Sequence, residues 1–95
     1  MLNHIVFFKA RPEASITEVK AAVRRLHELV GVVMEMKTFW LSTSPTQDSG
    51  WDACLKIEFE SEEEMERYSI HPLHAAIAKE INAVATVAIF DGWED

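Results

Sequence analysis

The chain has 95 residues, 48% apolar and 26% charged, the balance of an ordinary globular protein rather than a disordered segment. Nine basic against sixteen acidic side chains give a formal charge of -7, which repels phosphate backbones and anionic bilayers and argues against nucleic acid or a membrane as partner. That length sets one small domain over residues 1–95, and the lone cysteine, Cys54, excludes an intrachain disulfide.

The start, Met1-Leu2-Asn3-His4, lacks the basic and long apolar regions of a secretory signal. No apolar run nears the roughly 20 residues of a bilayer span, so the expected location is cytoplasmic. Residues 2–9 are β-branched and aromatic and stop before Arg11-Pro12, which predicts a first strand. His4, Val6 and Phe8 share one face and Ile5 and Phe7 the other. Because both faces are apolar, both need cover.

Ser15 and Glu18 have capping-box spacing, and Ile16, Val19, Val23, Leu26 and Val30 form an apolar stripe behind them. The spacing predicts an amphipathic helix that ends at Gly31, with His27 on its polar side. A second strand is expected around Thr38-Phe39-Trp40-Leu41, then a polar loop through Gly50. Residues 51–59 alternate cleanly: Trp51, Ala53, Leu55, Ile57 and Phe59 on the buried face, Asp52, Cys54, Lys56 and Glu58 on the wetter one. Ser61 and Glu64 repeat the capping spacing at the start of a second helix whose acidic run is a solvated first turn.

Seven residues, Tyr68-Ser69-Ile70-His71-Pro72-Leu73-His74, then bring a phenol and two imidazoles together around a proline. Proline lacks an amide proton and clashes with the turn before it, so the helix ends near His71 and a new one starts at Pro72 or Leu73. Leu73, Ile77, Ile81 and Val84 continue the stripe to about Asn82, and residues 86–91 form the last strand, closed by Gly92.

The order strand, helix, strand, strand, helix, strand gives an α+β, ferredoxin-like β-α-β-β-α-β protomer. It is a four-stranded antiparallel sheet with both helices on one face. Ile5 and Phe7 then lie uncovered on the other face, and closing sheet on sheet in a homodimer, a dimeric α/β barrel, buries them.

On the helix side, His4, Val6 and Phe8 are expected beside Ala53, Leu55 and Ile57, with Leu26, Tyr68 and Ile77 above. The mix of small and aromatic residues leaves room for a small, partly apolar molecule. A desolvated imidazole there stays neutral and able to take a proton, so His74 is the candidate base and Tyr68 the hydrogen-bond donor to a carbonyl or enolate oxygen. His4, Val6, Phe8, Leu26, Ala53, Leu55, His71 and Ile77 are the candidate binding residues. His71, next to Pro72, suits a helix cap as well as a site. No metal site is expected, for lack of thiolates and ligand spacing, and no nucleotide cofactor, for lack of a glycine-rich loop. Three readings stay open: a small-molecule binder, a cofactor-independent cyclase, lyase or monooxygenase acting on a carbonyl compound, and a structural protein without a site.

The start His4-Ile5-Val6-Phe7-Phe8-Lys9, the Phe59-x-Ser61 spacing, the bend Tyr68-x-x-His71-Pro72-x-His74 and the closing Ile89-Phe90-Asp91 together resemble the stress-responsive dimeric α/β-barrel domain family. The resemblance spans nearly the whole chain and implies a ferredoxin-like protomer whose two sheets join into a barrel. Most members are of unassigned activity. The best understood resemble plant polyketide cyclases, in which the tyrosine and last histidine of the bend, matching Tyr68 and His74, act in a cofactor-free aldol cyclisation. Arg24, Arg25 and Glu28 depart from a pocket wall suited to a long apolar tail. Sedimentation at micromolar concentration should give twice the chain mass, and a monomer mass would count against the uncovered-face argument.

Overall fold

The strand that the sheet is built on is β1, Leu2–Ala10, flanked by β3 (Ala53–Phe59) and β4 (Ala85–Trp93) in the computed structural model, which describes residues 1–95. Beside β3 lies β2, Thr38–Ser42, so the order across the sheet is β2-β3-β1-β4, antiparallel throughout. Between the strands run α1 (Ile16–Arg24), a 3₁₀ segment (Arg25–Leu29), α2 (Glu62–Ile70) and α3 (Pro72–Val84). This is the ferredoxin-like α+β arrangement, with the second helical region broken at the proline as its sequence predicts.

Pairing of Val6 with Leu55, Phe8 with Ala53 and His4 with Ile57 confirms the expected parity of the sheet. Val6, Phe8, Ala53, Leu55 and Ile57 are buried together with Val19, Val23, Leu26, Tyr68, Ile77 and Ile81 from the helical layer. The other face stays open. Trp40 and Phe90 are 54% and 62% exposed.

Five local expectations are corrected. The first helix leaves α geometry at Arg25, because Val23, Leu26 and Leu29 recur every third residue and a 3₁₀ turn keeps them in line. Burial of Leu29, roughly 2 kcal/mol, offsets the poorer hydrogen bonds of such a turn. Ile16 and Val30, placed in the stripe by sequence, are instead exposed. Gly31 does follow, with the positive φ of 83° that suits glycine.

Trp51 belongs to the open face, its ring 5.5 Å from that of Phe7. Pairing of β3 begins only at Ala53, and Asp52 is held out of alternation by accepting from the Ala10 amide at 2.7 Å. Gly92 does not close the last strand but lies inside β4, where a Cβ would sit 2.7 Å from the Phe90 ring. At Ser61 the box is displaced: its hydroxyl accepts from the Glu64 amide, but the Glu64 carboxylate accepts from the Glu60 amide instead. That bond and Lys37 hold the Glu64 carboxyl below its usual range.

At the bend, α2 ends with the His71 amide donating to the Tyr68 carbonyl, and His71 Nδ1 accepts from the Leu73 amide at 3.1 Å. His71 thus closes one helix and caps the next. His71→Ala should cost about 1 kcal/mol of stability, and His71→Asn less because its side chain can still accept, both read as shifts in urea midpoint.

Candidate functional site

The break decides what the next turn can bond. In an unbroken helix the Leu73 amide would donate to the Ser69 carbonyl four residues back. Here that amide is taken by His71, and the Ser69 carbonyl accepts instead from His74 Nδ1 at 2.9 Å. A carbonyl only accepts, so Nδ1 carries the proton and Nε2 of the neutral ring keeps its lone pair. Burial lowers the pKa of His74, and His4 and His71 lower it further, against the weaker opposing pull of the Ser69 bond. The ring is therefore a neutral base near pH 7.

Tyr68, from the last turn of α2, is 2% exposed and packs between two imidazoles: its ring centroid lies 4.4 Å from His74 and 5.6 Å from His4. Phe59 backs it at 5.3 Å. Burial, with Asp91 nearby, raises the phenol pKa, so the hydroxyl stays a donor. It has no hydrogen-bond partner within the chain, and Asn3 Oδ1 is the one fully buried side-chain oxygen or nitrogen left unpaired, so the Tyr68 hydroxyl opens onto a cavity.

His4 projects from the middle of β1 and its cross-strand partner on β4 is Asp91. His4 Nδ1 donates to Asp91 Oδ1 at 2.5 Å, which fixes the ring and leaves Nε2 as its free nitrogen. A cleft of about 780 Å³ between sheet and helices is lined by His4, Tyr68, His74 and Asp91. Cross-strand pairing orders the rest of the wall, from Phe8 beside Val87, through Val6 beside Ile89, to His4 beside Asp91. One end is apolar and the other presents two imidazoles and a phenol, the usual make-up of a small-molecule site.

Of the residues expected from sequence, His4, Val6, Phe8, Leu26, Leu55, Tyr68 and His74 line this cleft. Ala53, Ile77 and His71 do not. Ala53 and Ile77 are sealed in the solid core, and the His71 ring is committed to its cap. Arg24, Arg25 and Glu28 are also absent from the wall. Arg25 turns outward to Glu28 and Glu80, and from that stretch only Leu26 reaches the cleft. Asp91 was missed as a site residue. Antiparallel pairing of the last strand with the first was the signal that could have placed it opposite His4.

Cys54 has no such role, because burial pushes its thiol up and leaves little thiolate. No group of three or more His, Cys, Asp or Glu side chains gathers to hold a metal ion, and no helix is long and apolar enough to cross a membrane.

Residues 2–93 match the model of the stress responsive A/B barrel domain. The chain belongs to that family. It is 27% identical over 84 residues to a stress-response A/B barrel domain-containing protein of Arabidopsis thaliana, a match that covers 84% of this chain but 31% of that protein. The chain thus spans about a third of this curated relative. Among solved structures it resembles a dimeric Bacteroides fragilis protein of unknown function and ferredoxin-like fold, with TM-score 0.81, 22% identity and coverage of 96% of this chain and 93% of that one. It also resembles the hydroxynitrile lyase of Passiflora edulis, with TM-score 0.73, 20% identity and coverage of 99% and 94%. At these identities the two structures establish the shared fold.

A depressed His74 pKa has a consequence for stability. Below the ordinary histidine value the unfolded chain takes up a proton that the folded site resists, so stability present above that value is lost as pH falls. Urea midpoints should therefore drop more between about pH 7 and pH 5 in the wild type than in His74→Gln. An equal drop in both would show that His74 titrates as a free imidazole.

Proposed function

We propose that this A/B barrel domain protein is a homodimer that binds a small, partly apolar molecule in the cleft between sheet and helices. The observation that carries the reading is the Tyr68 hydroxyl, at the polar end of the cleft beside His4 and His74, with no partner in the chain and open to whatever enters. A ligand oxygen at that point can take its hydrogen bond in place of water. Pairing of two copies through the open face is supported by Phe7, Trp40, Trp51 and Phe90 there and by the likeness to a dimeric protein of the same fold. The reading places the protein in the cytoplasm, where a lone thiol such as Cys54 stays reduced.

A second reading, that the bound molecule is also converted, is favoured by the tautomer of His74. Nε2, free and neutral, can take a proton from carbon or oxygen, while Tyr68 donates to the carbonyl or enolate oxygen on which charge develops. When the product forms, the same imidazole returns the proton, so no external acid or cofactor enters the balance. His4, fixed by Asp91, offers a second ring nitrogen to an oxygen of the substrate. The Passiflora edulis hydroxynitrile lyase has the same fold, which supports this reading at the level of the fold.

Native mass spectrometry of the purified protein tests the first reading and should find a copurified small molecule on the dimer. For the second, Tyr68→Phe and His74→Gln should each cut turnover of a carbonyl substrate by about a hundredfold or more, with circular dichroism unchanged. Full activity in both variants would remove Tyr68 and His74 from the chemistry, and no turnover in the wild type would leave a binder.

A further inference from the structure

The wall of the cleft is one-signed. None of the chain's nine lysines and arginines lines it, whereas Glu62, Glu66 and Asp91 do. Asp91 is engaged by His4. Two carboxylates near α2 have cation partners, Glu64 with Lys37 at 3.1 Å and Glu35 with Arg67 at 3.3 Å, and Glu63 on the same helix has none but does not line the cleft. Glu62 and Glu66 are the unpaired ones that line the cleft. They lie four residues apart on the cleft side of α2, and neither pairs with a cation.

A ligand at the Tyr68 hydroxyl therefore shares the cleft with two unpaired carboxylates and meets no compensating positive charge. His74 is neutral and Tyr68 protonated, while the His4–Asp91 pair sums to zero at most. Both glutamates are exposed, so their field acts at the cleft's α2 side and is screened by salt. We infer that the cleft takes uncharged or cationic, partly apolar molecules and excludes carboxylates, phosphates and acyl carriers that bring phosphate with them. The inference rests on the ligand-binding reading above and narrows it to a substrate class.

Three probes sharing one ring system test it: acetonaphthone, naphthylmethylammonium and naphthoate, titrated calorimetrically into the full chain at low salt. The ketone and the ammonium should bind, and naphthoate should bind about tenfold more weakly than the ketone or worse. The gap should narrow to within about threefold in Glu62→Gln/Glu66→Gln, and in the wild type as salt is raised. Thermal denaturation checks that the double variant folds, and if it does not, the salt dependence of the wild type decides. Naphthoate binding as tightly as the ketone overturns the charge selection and leaves the ligand-binding reading intact. A gap that ignores both the substitutions and salt also overturns it, since a steric wall would behave that way. No binding of any probe overturns the ligand-binding reading itself, and the selection falls with it.

Discussion

A missing amide proton at Pro72 is the constraint that the site depends on. It stops α2, obliges His71 to supply the cap for α3, and by diverting the Leu73 amide it leaves the Ser69 carbonyl free for His74. One backbone defect thus fixes the tautomer of a side chain two residues downstream. Proline inside a helix ordinarily costs about 3 kcal/mol. Here the cost is contained, because Pro72 stands at the first position of α3, where no amide is needed.

Desolvation then divides the labour among the titrating groups. The same burial that keeps the Tyr68 phenol protonated keeps the His74 imidazole neutral, so one cleft holds a donor and an acceptor near neutral pH. His4 is arranged oppositely, through a carboxylate that orients it rather than through a backbone carbonyl. Two imidazoles with different second partners are not interchangeable, even though both leave Nε2 free. Burial resists a proton's positive charge at His74, whereas His4 is distinguished by the carboxylate that orients it.

Much of this was legible in the sequence wherever a periodic pattern met one dominant force. Parity of β1 and β3, the Ser15 cap and the break before Pro72 follow from local chemistry and the demand for burial. What was not legible depends on how elements meet. Trp51 continues the alternation of β3 in sequence yet packs on Phe7, because the Asp52 side chain replaces a ladder contact and ends the period. Leu29 looks like an off-stripe residue until the helix tightens to three residues per turn. Asp91 is a strand-end acid with no visible partner until the sheet order puts β4 beside β1. Ala53 and Ile77 were placed on the correct face, but whether a core residue lines a cavity or fills the wall behind it depends on packing at the scale of a single side chain.

Strand β1 also ties the two faces of the sheet together. His4, Val6 and Phe8 face the cleft, while Ile5 and Phe7, interleaved with them, face the open side. A slip of one residue in its pairing would exchange these sets, withdrawing His4 from Asp91 and Tyr68 and pushing Ile5 into the core. Leu2, Val6 and Phe8 are buried, and together they hold the strand against that slip by several kcal/mol. Apolar pressure along β1 therefore maintains the polar His4–Asp91 contact. The contact does not have to hold the strand, and its geometry is free to serve whatever enters the cleft.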